Sequence, residues 1–99
     1  MRASLLSPEQ ISALAVSLPA WSVVNGKLHR EFCFADFVEA FAFMAKVALI
    51  AEAMGHHPEW SNVWNRVTID LVTHDSGGLS NLDADLAHRI DAATAYPSI

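Results

Sequence analysis

Residues 35–54 are the longest apolar region of the chain, and they constrain most what can be built around them. Asp36, Glu39, Lys46 and Glu52 interrupt the region, which makes it a poor membrane span. Asp36 followed three residues later by Glu39 instead opens a helix, and Gly55 offers a left-handed stop at its end. Between these signals Phe37, Val38, Phe41, Phe43, Met44, Val47, Leu49, Ile50 and Met54 are spread almost all round the helix. Such a helix needs apolar cover on two sides. A chain of 99 residues has length for one core and not two, so a single domain spanning 1–99 is expected. Its second cover is expected from another copy, as a homodimer or homotetramer through helix 36–54.

Around this helix the hydrophobic period changes twice. Ser7-Pro8 with Gln10 forms a capping box with proline at the first helical position, and Ile11, Leu14, Ala15 and Leu18 follow at helical spacing as far as Pro19. Residues 21–24, Asn25-Gly26 and residues 27–34 have the form of a hairpin, because Asn-Gly supplies the positive backbone angles of a tight turn. Val67, Ile69 and Leu71 alternate with Thr68, Asp70 and Val72 in a second hairpin, whose shorter arm is expected at 60–64 with a turn near Asn65-Arg66. If that strand persists, His74 has the opposite parity and points away from the core. After Gly77-Gly78, Ser80 with Asp83 caps a last helix carrying Leu82, Leu86, Ile90 and Ala93 as a narrow stripe. The order helix, hairpin, helix, hairpin, helix predicts an α+β domain whose antiparallel sheet is covered on one face.

Charge and composition then narrow the function. The formal charge of -5 and the lack of a Lys/Arg cluster argue against direct nucleic-acid binding. Cys33 is the sole cysteine, so neither an intramolecular disulfide nor a thiolate cage can form. The N-terminus lacks the apolar core and small-residue cleavage site of a signal peptide. A soluble, cytoplasmic protein without membrane contact is expected.

The candidate chemistry gathers at "GHHPEW", residues 55–60. His56 and His57 leave a helix C-terminus, where an imidazolium is favoured by the helix dipole, and Pro58 both ends the helix and restricts the backbone of His57. Glu52 lies four and five residues before the pair. At about 100° per residue it falls roughly 140° from Glu39, off the line through Glu39 and Lys46. It is either an ordinary carboxylate near a fraying end or a partner of the two rings. Three imidazoles and a water can hold catalytic zinc, but adjacent extended residues diverge, and the spacing to His74 matches no ligand pattern. Metal-free acid/base chemistry suits the same residues, since histidine exchanges protons near neutral pH. His29 and His88 are expected to be ordinary exposed or satisfied rings. No G-x-S-x-G turn is present, and the double glycine of "THDSGGLS" is too short for a dinucleotide or phosphate loop.

The run Glu52-x-x-x-His56-His57-Pro58, five residues, Trp64, then Val67-x-Ile69-x-Leu71-x-Thr73-His74-Asp75-Ser76-Gly77-Gly78-Leu79-Ser80 resembles the signature of the pterin-4a-carbinolamine dehydratases. Trp21, "LHREFCFADF" and the leucines of the last helix extend the resemblance over nearly the whole chain. It implies an α+β fold of order α-β-β-α-β-β-α, a four-stranded antiparallel sheet with three helices on one face. It also implies dehydration of 4a-hydroxytetrahydropterin to quinonoid dihydropterin, the recycling step after an aromatic amino acid hydroxylase, with no metal or other cofactor. His56, His57 and His74 match the family's essential histidines and Glu52 its nearby acidic position. Pro58, Trp60, Thr73, Asp75 and Ser76 are expected to help bind the pterin, although Asp75 and Ser76 lie in a loop that varies among relatives. Gly55 departs from relatives with an acidic residue before the histidine pair. Some vertebrate relatives also partner a homeodomain transcription factor, so an interaction, assembly or coactivator protein keeping the fold is the alternative reading.

Overall fold

The computed structural model describes residues 3–94. Helix α1, Pro8–Ser17, starts from the expected capping box: the Gln10 amide donates to Ser7 Oγ at 3.1 Å, and the Ser7 amide donates to the Gln10 side chain at 2.8 Å. Strands β1, Ser22–Val24, and β2, Lys27–Cys33, follow, joined by Asn25 and Gly26 at φ 52° and 75°. Helix α2, Phe37–Met54, begins where Asp36 accepts the Glu39 amide at 2.8 Å and ends on Gly55 at φ 66°. Strands β3, Glu59–Val63, and β4, Arg66–Leu71, make the second hairpin, a 3-10 turn spans His74–Ser76, and helix α3 runs Asn81–Thr94.

The four strands form one antiparallel sheet in the order β1-β2-β4-β3. Its registers, Leu28 opposite Leu71, Phe32 opposite Val67 and Trp60 opposite Ile69, put these residues on one face because strand side chains alternate. Leu28, Phe32, Val67, Ile69 and Leu71 are buried there with Leu14 and Leu18 of the α1 segment, Ala40, Phe43, Val47 and Ala51 of α2, and Leu86, Ala87 and Ile90 of α3. Full burial of side chains such as Ile69, Leu71 and Leu86 contributes about 1.5–3 kcal/mol each. The opposite parity, Lys27, His29, Glu31, Glu59, Thr68 and Asp70, makes a polar outer face. The expected fold class and element order are those observed.

Two details differ from expectation. The short arm of the second hairpin begins one residue earlier, at Glu59, and the turn is Trp64-Asn65 with Trp64 at φ 50°. Side-chain amides hold that turn: Asn62 donates to the carbonyls of Trp64 and Arg66, and Asn65 donates to that of Phe34. Strand β4 stops at Leu71. The chain then folds back through paired Thr73 and Gly78 amides and carbonyls, so His74 is exposed by a 3-10 turn rather than by strand parity.

Helix α2 shows the two-sided apolar character expected of it. Its inner arc is filled, yet Val38, Phe41 and Leu49 remain 75%, 58% and 74% exposed. At about 100° per residue Glu52 falls between Phe41 and Leu49 on that outer arc. It thus stands within an exposed apolar face, away from the charged line of Glu39 and Lys46. Among the described residues no helix is long and apolar enough to cross a membrane.

Candidate active site

The end of α2 delivers the two histidines. Gly55 turns the chain into the left-handed region, its amide donates to the Glu52 carbonyl at 3.1 Å, and the His56 amide reaches back to the Ala51 carbonyl at 3.1 Å. This doubly bonded closure is how a helix end satisfies its last carbonyls. It turns His56 inward, where it is buried, while His57 is left exposed and Pro58 half-buried.

His56 Nε2 lies 2.6 Å from Oδ1 of Asp83, a carboxylate with no solvent exposure. The other oxygen of Asp83 accepts from Thr73 Oγ1 at 2.8 Å and from the Ser80 amide at 2.9 Å. Because the Thr73 proton goes to Asp83, the 2.6 Å contact between Thr73 Oγ1 and Ser80 Oγ is donated by Ser80. Ser80 Oγ in turn accepts the Leu82 amide at 3.1 Å. Every buried polar side-chain atom among the described residues has a partner, the condition under which a buried ionic network is tolerated.

The other two rings repeat the pattern nearer solvent. His57 Nε2 meets Glu52 Oε1 at 2.8 Å, and His74 Nε2 meets Glu59 Oε2 at 2.7 Å. Glu59 is shared, since Lys27 Nζ donates to its Oε1 at 2.6 Å. The Lys27 ammonium, and after it the His74 ring, hold the Glu59 carboxyl below its usual range, and Glu59 in turn raises the Lys27 ammonium. An ionised carboxylate only accepts. Facing an ionised carboxylate, Nε2 of each ring is the donor.

Two chain segments carry the rings. His56, His57, Pro58 and Glu59 are consecutive, as are Thr73 and His74. The segments are clipped at both ends, through His56, Asp83 and Thr73 at one and through Glu59 and His74 at the other. An open cleft walled by Asn25, Gly26, Lys27, Val72, Gly77, Gly78 and His74 adjoins the second clip.

The remaining candidates are less uniformly placed. Thr73 is buried inside the His56 network, Asp75 is exposed, and Ser76 closes the 3-10 turn through its amide to the Thr73 carbonyl. Trp60 packs against the core on the inner sheet face, opposite in parity to Glu59. Asp83, Glu59 and Lys27 were not singled out from the sequence as site residues. Asp83 does close the cap on Ser80, but that role accounts for only one of its oxygens. Glu59 stands inside the quoted motif, and Lys27 has no sequence signal at all, because only the sheet register carries it to Glu59. No group of three or more His, Cys, Asp or Glu side chains among the described residues is arranged to hold a metal ion.

Comparison with known proteins shows the family. The family model described as pterin 4 alpha carbinolamine dehydratase matches residues 4–93. A relative from Solibacter usitatus, provisionally named a pterin-4-alpha-carbinolamine dehydratase, is 58% identical over 90 residues, 91% of this chain and 95% of its own. One from Synechococcus, named in the same provisional way, is 60% identical over 90 residues, 91% of this chain and 97% of its own. Among solved structures, a Brucella melitensis protein described as a transcriptional coactivator/pterin dehydratase superposes with TM-score 0.88 at 38% identity, over 93% of this chain and all of that one. A pterin dehydratase-like protein described as a RuBisCO assembly factor of the alpha-carboxysome shares the fold, with TM-score 0.63 at 23% identity over 78% of this chain and 89% of that one. With a family match over almost its whole length and relatives near 60% identity, the chain belongs to the pterin-4-alpha-carbinolamine dehydratase family.

Proposed function

We propose that this protein dehydrates 4a-hydroxytetrahydropterin to quinonoid dihydropterin by histidine acid/base catalysis, in tetrahydropterin recycling. The observation that carries the reading is that His56, His57 and His74 each commit Nε2 to a separate carboxylate. The reaction breaks the C4a–O bond, releases the hydroxyl as water with a proton from a general acid, removes the N5 proton to a general base, and forms the C4a–N5 double bond. A ring whose Nε2–H is held by a carboxylate suits either role. Its imidazolium is supported as an acid, and its neutral form presents a bare Nδ1 as a base. Glu52 orients His57 in this scheme, and Asp83 orients His56.

The lone pair on N5 already pushes the hydroxyl out, so acid/base help on the usual scale of ~10²–10⁴-fold is what the residues need to supply. Turnover of freshly generated 4a-hydroxytetrahydropterin, with and without chelator, tests the proposal. Turnover that chelator leaves unchanged, and that falls in the His56→Ala, His57→Ala and His74→Ala variants, supports it. Undiminished turnover in all three variants overturns it, and chelator sensitivity points to a metal instead.

One observation favours a second reading, the exposed apolar arc of α2 around Val38, Phe41 and Leu49. It fits self-association through the helix, and equally a protein whose work is assembly or coactivation, as the neighbours' descriptions say of those proteins. Absence of turnover combined with capture of a partner on that face selects the non-catalytic reading.

A further inference from the structure

Of the three carboxylates that hold the histidines, Glu59 alone is also gripped by a cation. Glu59 opens β3 on the outer sheet face opposite Asp70, and Lys27, at the start of β2, reaches it there. Its two oxygens are divided, Oε1 to the ammonium and Oε2 to the imidazole of His74. Lys27 and His74 also stand on the walls of one cleft.

The same sheet face shows what a carboxylate without a bound ammonium does to a ring. Asp70 lies 2.8 Å from His29 Nδ1, and this hydrogen bond raises the His29 ring above its ordinary 6.5. A ring raised far enough remains protonated at neutral pH and is lost as a base.

We propose that Glu59 is a positioning residue for His74, fixing its proton on Nε2, and that Lys27 sets how strongly Glu59 holds that ring. The ammonium takes one oxygen of the carboxylate and the ring takes the other, so Lys27 and His74 draw on the same charge. The charged groups around the ring are Glu59 of β3, Lys27 of β2 and Asp75 of its own turn. Asp70 of β4 acts on Lys27 from beyond. The proposal concerns a site whose catalytic role rests on the dehydratase reading, but the ring's behaviour can be measured without turnover.

The test follows the His74 ring by nitrogen-detected NMR titration in the unaltered chain, Glu59→Gln, Lys27→Met and the double variant, alongside the pH profile of kcat. Glu59 is exposed and Lys27 half-buried, and neither belongs to the hydrophobic core, so the variants are expected to fold. The His74 midpoint is expected to move up in Lys27→Met, which removes a neighbouring positive charge, and down in Glu59→Gln, which removes a negative one. In the Glu59→Gln background the Lys27 substitution is expected to move it less, and the acidic limb of the kcat profile, where a base is lost to protonation, to follow the ring. Midpoints that stay in place, that move in the same direction, or that respond equally to Lys27→Met in both backgrounds overturn the proposal. If the unaltered chain shows no turnover, the dehydratase reading falls while the ring titration still decides this one.

Discussion

Nε2 of His56 and Oδ1 of Asp83 are 2.6 Å apart, and the carboxylate is completely enclosed. Asp83 also receives Thr73 and the Ser80 amide, so its loss orphans three donors at once. Asp83→Ala is expected to destabilise the fold by several kcal/mol, since each buried group left unsatisfied costs about 1–3 kcal/mol. Asp83→Asn keeps the shape and loses the charge, with a smaller stability loss and a larger loss of turnover. Urea denaturation and dehydration kinetics on the two variants separate these effects.

Glu52 and His57 form the same kind of pair in the open, with the carboxylate side chain 81% exposed. Exposed pairs contribute about 0–1 kcal/mol to stability, so Glu52→Gln is expected to leave thermal unfolding nearly unchanged. Turnover is expected to fall about tenfold, equivalent to ~1.4 kcal/mol of transition-state stabilisation. Parallel melting curves and kcat measurements check both halves.

Gly55 sits at φ 66° with nothing within 4 Å of where a Cβ would stand. Gly55→Ala therefore meets no clash and bears only the left-handed backbone cost, about 1–2 kcal/mol. A shift of that size in the denaturation midpoint is expected. A neutral result would show that the helix end re-forms in another way.

His29 carries a pH dependence of stability. The Asp70 hydrogen bond, with a smaller contribution from Glu31, raises its folded value above the ordinary 6.5. A raised histidine stabilises the fold fully below its unfolded value and loses that contribution as pH rises through the folded one. Stability of the unaltered chain is thus expected to fall more steeply from about pH 6.5 upward than that of His29→Gln. Denaturant titrations across this window in both proteins give the comparison.

The outer arc of α2 predicts association. Leu49, 74% exposed, lies on it, and Leu49→Glu is expected to shift the protein toward monomer in sedimentation or size-exclusion measurements. If the unaltered chain is already monomeric, the arc does not serve self-association.

The elements of this fold are set by local chemistry, which is why they were legible in the sequence. Ser7 with Gln10, Asn25-Gly26, Asp36 with Glu39, and Gly55 each act within a few residues of themselves, and the alternation of Val67, Ile69 and Leu71 needs only a strand to display it. The two-sided apolar character of residues 37–54 likewise announced a face with no cover inside the chain. The turn at Trp64-Asn65 was misplaced by one residue because distant Phe34 helps to hold it. The histidines were visible as residue types, and the family resemblance grouped them. Their partners were not, apart from Glu52 one helical turn away. Asp83 meets His56 across 27 residues and Lys27 meets Glu59 across 32. Those pairings depend on where α3 packs and on the register of β2, β4 and β3, so only the tertiary structure could decide which carboxylate holds which ring.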